Sequence, residues 1–227
     1  MTKEALSKIE QMQSMVNSLK EITTIIVGLA LTNTIIQFLL VEGAPRQIAE
    51  IRLESTVIFA LLTVTMIRFY HGNFRHLDVT YSSANLVNST SASIKQHPKG
   101  EKVSLDFFCI LVESLILCAM SFYQVEPMYF FYIFGILMMV DVIWFFVTYQ
   151  FVLDKEMFRH QKVWIINNFI AIILLLLIYS FSTFIGEEIR TYALAIVLFI
   201  NTIVDYKINW NFYFPVHVDT KKNEGKD

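Results

Sequence analysis

Long apolar stretches alternate with short polar connections along most of the chain. A bilayer core roughly 30 Å thick needs about 20 mostly apolar residues per helix. Four stretches meet this requirement, at residues 22–41, 103–123, 128–153 and 163–185. A fifth begins at Thr56 but meets Arg68 after twelve residues, and a sixth, residues 191–204, continues through Asp205 and Lys207 into an aromatic cluster. The pattern predicts an all-α protein, a polytopic transmembrane helical bundle of six spans, with five spans as the alternative.

The composition points in the same direction. Hydrophobic residues make up 55% of the chain and charged residues 17%, where soluble domains carry about 25% charge. The 18 basic and 20 acidic residues nearly balance, which argues against a nucleic-acid partner. Cys109 and Cys118 lie nine residues apart on one predicted helix, too far to form a disulfide, and we expect no metal site and no cofactor.

The positions of Lys and Arg favour six spans, because short translocated loops carry few basic residues. With six spans and a cytoplasmic N-terminus, 15 of the 18 basic residues lie inside, and only Arg46, Arg52 and Arg190 lie outside. Five spans would give 11 inside against 7 outside. We therefore predict that both termini are cytoplasmic and that the chain is a multi-pass protein of the plasma (inner) membrane, with the lipid bilayer as its first partner.

The predicted domain organisation has three parts. Residues 1–20 carry apolar side chains at spacings of three and four: Leu6, Ile9, Met12, Val16 and Leu19. This spacing predicts a cytosolic amphipathic helix, which either lies at the interface, extends the first span, or pairs with a partner subunit. The segment is too polar for a signal peptide, so we expect the first span to be its own anchor. Residues 21–214 form the bundle, with a cytosolic loop at 76–102, and residues 215–227 form a polar cytosolic tail.

Ionisable side chains within the spans are costly and normally face the bundle interior. Counted from the outer ends of their helices, Glu113, Asp141 and Arg68 lie about 16, 21 and 21 Å deep at 1.5 Å per residue. We predict an intramembrane polar network with these members: Arg68, Glu113, Asp141, Asp205, Asn167, Asn168 and Asn201. Arg68 with Glu113 or Asp141 would form a fixed salt bridge, a proton or cation relay, or a contact between subunits.

The segment from Arg68 to Asp78 has the most distinctive pattern. Four side chains share one face if the second span continues as a helix: Arg68, His71, Arg75 and Asp78. Because Arg and His can donate to a phosphate or a carboxylate, this face predicts a cytoplasmic contact with an anion or a partner protein. The alternative is an interfacial anchor. Gly72, inside the segment, lowers the helix propensity.

The chain contains no GxSxG, HExxH, CxxC or P-loop motif, so the sequence favours a function other than catalysis. Two hypotheses remain. In the first, the chain is a homo-oligomeric subunit of a channel, transporter or membrane-disrupting effector, and Arg68, Glu113 and Asp141 act as gating or relay groups. In the second, it is a membrane anchor or scaffold subunit that recruits a soluble cytosolic protein.

Overall fold

The computed structural model describes residues 3–41, 44–47, 51–81, 100–148, 155–181, 184 and 186–215. Within these ranges the chain forms seven helices and two short strands with the following bounds: α1 (Lys3–Leu39), β1 (Leu40–Val41), β2 (Ala44–Pro45), α2 (Leu53–Thr80), α3 (Gly100–Phe122), α4 (Pro127–Thr148), α5 (Lys155–Ser180), α6 (Glu187–Ile208) and α7 (Trp210–Tyr213). Helices α1 to α6 are each long and apolar enough to cross a bilayer. The predicted six-span helical bundle is confirmed, while most of the predicted 76–102 loop and the tail beyond residue 215 lie outside the described residues.

The six long helices close into a ring. α1 packs against α2 and α3, α4 packs between α3 and α5, and α6 packs against α5 and α2. Because the number of spans is even, both ends of the described chain lie at one end of the bundle, here called the termini side, and the other end is the opposite side. That the termini side faces the cytoplasm stays a prediction from the charge distribution.

α1 has 37 residues, about 55 Å at 1.5 Å per residue, and is much longer than a bilayer core requires. The helix has no break at residue 20, so residues 3–20 of the expected segment are the first part of the helix that forms the first span. Its side chains Val16 and Leu19 are buried in a cluster with Leu77 of α2 and Ile110 of α3. The part of the apolar face that contains Val16 and Leu19 therefore packs on its own chain, while Leu6 is exposed.

α2 continues without interruption through Arg68 and Gly72 for 28 residues. A Cβ atom at Gly72 would lie 3.2 Å from Cη2 of Trp164, which is closer than ordinary van der Waals contact. Glycine at this position therefore allows the indole of Trp164, on α5, to lie directly against the backbone of α2. Because the helix is regular, Arg68 and the polar residues that follow it, Asn73 and His76, are buried inside the bundle.

Two hydrophobic clusters fill the interior of the ring. The cluster on the opposite side includes large, fully buried side chains: Leu61, Leu62, Phe130, Phe131, Phe134, Leu137 and Leu198. The cluster on the termini side surrounds Leu19 and Ile110. Around the outside, large apolar side chains such as Phe146 and Ile203 are exposed, as lipid-facing positions require. The chain is a multi-pass membrane protein.

Candidate functional site

Arg68 lies at the centre of a polar layer between the two hydrophobic clusters. Its side chain is fully buried. Nε donates to Oδ2 of Asp205 at 2.8 Å, Nη2 donates to Oδ1 of Asn168 at 2.7 Å, and Nη1 donates to Oδ1 of Asn201. Each of the three guanidinium nitrogens is thus directed to an acceptor on α5 or α6, which satisfies a buried cation with one opposite charge and two amide oxygens.

Asp205 accepts hydrogen bonds from three directions. Besides Arg68, the hydroxyl of Tyr213 donates to Oδ2 at 2.7 Å and Nδ2 of Asn209 donates to Oδ1 at 2.8 Å. Burial and the neighbouring Asp205 carboxylate raise the pKa of the Tyr213 phenol, so Tyr213 remains a donor. The Asp205 carboxylate thereby connects α2 to α7, the short helix that follows α6.

A second carboxylate joins the network through an amide. Nδ2 of Asn168 donates to Oδ2 of Asp141 on α4, while Oδ1 of Asn168 accepts from Arg68. Asn167 and Asn201 exchange bonds with each other's backbone: Nδ2 of Asn167 donates to the Asn201 carbonyl at 2.9 Å, and Nδ2 of Asn201 donates to the Asn167 carbonyl at 3.1 Å. These contacts hold α2, α4, α5 and α6 together at one level.

The expected direct pairing of Arg68 with Glu113 or Asp141 is replaced by pairing with Asp205. The reason is the order of helices in the ring, because α2 packs directly on α6, while Asp141 reaches Arg68 only through Asn168. Glu113, on α3, is fully buried and its Oε2 accepts from Nδ2 of Asn73 at 2.9 Å.

Glu113 and its partner keep unused hydrogen-bonding capacity. Oε1 of Glu113 and Oδ1 of Asn73 are both buried without a hydrogen-bond partner among the described residues. Glu113 interacts electrostatically with Asp141 and with Arg68. The polar layer therefore contains three buried acids, Glu113, Asp141 and Asp205, and one buried guanidinium.

A further polar cluster lies closer to the termini side, around the fully buried Asp106 of α3. Nε2 of His76 donates to Oδ2 at 3.2 Å, the hydroxyl of Tyr81 donates to the same oxygen at 2.7 Å, and Nε1 of Trp144 donates to Oδ1 at 2.9 Å. The side chain of Lys102 is buried nearby, with Nζ 5.8 Å from the centre of the Tyr81 ring. Burial and the Asp106 carboxylate raise the pKa of the Tyr81 phenol, so this phenol also stays a donor.

The four residues expected to form one anion-binding face have separate environments. Arg68 is fully buried in the polar layer and is not available at a surface. His71 packs against aromatic rings in and beside α7, with the ring centres of Tyr213 and Phe214 5.0 and 5.1 Å away. Nε of Arg75 donates to the carbonyl of Phe212 at 2.7 Å, and Asp78 forms an ion pair with Lys20 of α1. Arg68 is therefore bonded within the bundle, and a contact of His71, Arg75 and Asp78 with an anion or a partner protein stays a prediction.

Sequence reasoning left several members of these clusters out of the predicted site, including Asn73, His76 and Asp106. One signal was present, because Asp106 and Glu113 are seven residues apart and so lie on the same face of α3. No comparable signal marks His76 or Tyr81, whose partners come from other helices. Among the described residues no group of three or more His, Cys, Asp or Glu side chains could hold a metal ion.

Comparisons with known proteins add no assignment: no family model, no curated protein and no solved structure matches the chain.

Proposed function

We propose that this chain is a subunit of an oligomeric channel or transporter for protons or small cations, in which Arg68, Glu113 and Asp141 act as relay or gating groups. The observation that carries the proposal is the charge balance of the polar layer. Three buried acids share one buried guanidinium, and carboxylates close together in low dielectric cannot all ionise without a compensating cation. At least one of the three acids therefore holds a proton or binds a cation in this arrangement.

Glu113 is the best candidate for the exchangeable group. Asp205 is paired directly with Arg68 and accepts two further bonds, whereas Glu113 has one carboxyl oxygen without a partner among the described residues. Ionisable side chains inside a membrane bundle that are not fully used in pairing with one another typically mark an ion or proton pathway.

The hydrophobic cluster on the opposite side would be the gate. Beyond the polar layer, Leu137, Leu198 and Phe134 are fully buried, and apolar constrictions of this kind close pores by excluding water. Polar groups extend from the termini side to the level of Arg68, and in this proposal the apolar side chains beyond that level close the path.

Reconstituted protein tests the proposal. Purified chain in liposomes that contain a pH-sensitive dye should dissipate a proton gradient, and Glu113→Gln should reduce the initial rate at least tenfold. The matched control is Glu54→Gln, which changes a partly exposed carboxyl near the start of α2 and should leave the rate within twofold. Equal rates for wild type and Glu113→Gln would refute the relay role, and release of a large trapped dye would indicate membrane disruption instead.

The sealed opposite side also favours a second candidate, a non-conducting anchor or scaffold subunit. In that case the polar layer would serve only to fix the helix order, and the surfaces on the termini side would recruit a soluble protein. Liposomes with wild-type protein would then show no flux, and removal of residues 216–227 would abolish co-purification of the partner. Measurement of the mass of the detergent-solubilised complex distinguishes a homo-oligomer from such a mixed assembly.

A further inference from the structure

A small cavity lies between the two polar clusters on the termini side of the bundle. Its lining includes His76 of the Asp106 cluster and Asp141 of the Arg68 network, together with Thr148 and Trp164. The cavity has a volume of about 20 Å³, and one water molecule needs roughly 10–15 Å³ on this measure. The space therefore admits a water molecule and little more.

Trp164 provides a reason for water to occupy this space. Its side chain is 8% exposed, and Nε1 is buried without a hydrogen-bond partner among the described residues. The indole nitrogen can only donate, and a buried donor without an acceptor costs about 1–3 kcal/mol. The oxygen of a water molecule in the cavity would accept from this N–H.

The cavity lies where it can connect the Asp106 cluster with the Arg68 network, because it is lined by one residue of each. At one end, the imidazole of His76 is held by Asp106, which interacts electrostatically with Lys102. At the other end, Asp141 accepts from Asn168 and interacts electrostatically with Arg68. A water molecule in this cavity would lie between the His76 imidazole, whose Nε2 is bonded to Asp106, and the Asp141 carboxylate.

We propose that this cavity is a hydration site, anchored by the indole N–H of Trp164, whose water molecule passes protons between His76 and Asp141. The inference rests on the proposed function and names the proton as the ion and the termini side as its entrance. In the forward step, the protonated ring of His76 gives the proton of Nδ1 to the water, while Nε2–H stays bonded to Asp106, and the water gives one of its own protons to the Asp141 carboxylate. The imidazole and the carboxyl are then both neutral, and the water is regenerated.

Two variants test the hydration site without altering a charged group. Thr148→Ile fills the cavity, and Trp164→Phe removes the N–H donor while keeping an aromatic ring. The matched control for the first is Thr32→Ile, because Oγ1 of Thr32 donates to the Gly28 carbonyl at 2.9 Å as Oγ1 of Thr148 donates to the Trp144 carbonyl at 2.8 Å, but Thr32 is exposed. The control for the second is Trp210→Phe, on an exposed ring.

Hydration is measured directly by NMR transfer of magnetisation from water to the indole N–H of Trp164, in the full-length protein in detergent. We expect the transfer in wild type and in Thr32→Ile, and its loss in Thr148→Ile. In liposomes, Thr148→Ile and Trp164→Phe should each lower the proton flux at least tenfold, and both controls should stay within twofold of wild type.

The outcomes separate the hydration site from the proposed function. Absence of water at the wild-type indole would overturn the inference even if flux is observed. Water at the indole together with flux that Thr148→Ile leaves unchanged would also overturn it, because the site would then be structural only. Absence of wild-type flux would refute the proposed function, and with it the relay step, while the NMR measurement would still decide whether the site holds water.

Discussion

Replacement of Arg68 by Met should destabilise the bundle more than any other single exchange of a basic residue in the described chain. The guanidinium is fully buried and donates to Asp205, Asn201 and Asn168. Removal of one partner of a buried ion pair costs about 3–5 kcal/mol, because the remaining charge stays buried without compensation. Interhelical hydrogen bonds in membranes average about 0.6 kcal/mol and reach about 1.7, so the loss of three bonds alone gives about 1.8 kcal/mol at the average and about 5 kcal/mol at the maximum.

The assay is a double-mutant cycle with Asp205→Asn, using the free energy of unfolding from SDS titration in mixed micelles. We expect Arg68→Met alone to lower that free energy by about 3–5 kcal/mol. The double variant should recover at least about 1 kcal/mol relative to the sum of the two single effects. Arg52→Met, at the exposed start of α2, is the control and should change stability by less than about 0.5 kcal/mol.

Two results would refute this reasoning. A silent Arg68→Met would mean that the guanidinium reaches the headgroup layer instead of the bundle interior. A coupling energy within about 0.3–0.5 kcal/mol of zero would mean that the two side chains act independently, and the ion pair would then not link α2 to α6.

Three other predictions follow from individual contacts. Gly72→Ala should lower the free energy of unfolding by about 1–3 kcal/mol and shift Trp164 fluorescence, because the new methyl group overlaps the indole; Gly28→Ala, with nothing within 4 Å of its Cβ, should be neutral or stabilising. Because the pKa of the Tyr81 phenol is raised in the folded protein, the unfolded chain loses this proton at a lower pH, near 10, than the folded chain does. The free energy of unfolding should therefore fall above about pH 10, and it should fall less steeply in Tyr81→Phe. Cysteines placed at positions 91 and 222, in a background without native cysteines, should both resist an impermeant thiol reagent in intact cells; labelling of position 222 alone would contradict the predicted orientation of the termini.

The spans were predictable from the sequence because bilayer thickness fixes the length of an apolar helix. The second span was the difficult case, since Arg68 interrupts its apolar run. The structure resolves this difficulty by pairing Arg68 inside the ring, so that the helix continues past it.

The partners within the polar layer were less predictable. Depth along each helix placed Arg68 level with Asp141, and the two are indeed joined through Asn168. Depth does not give the order of helices around a ring, which depends on side-chain packing across all six, and so Asp205 was not identified as the ion-pair partner. The same limitation applies to His76 and Asp106, whose residue types alone do not show that α2 and α3 bring them together.

Proton flux through an opened gate tests the central claim most directly. Leu137 lies one turn from Asp141 toward the opposite side and is fully buried, so Leu137→Asn should extend the polar layer outward by about 6 Å and hydrate the constriction. Liposomes with Leu137→Asn should then leak protons faster than wild type, and Leu137→Met, which conserves volume and polarity, should not. We predict that adding Glu113→Gln to Leu137→Asn abolishes the extra leak, because protons that enter the layer pass through that carboxyl. An equal leak in Leu137→Asn with and without Glu113→Gln would contradict the relay role of the buried acid.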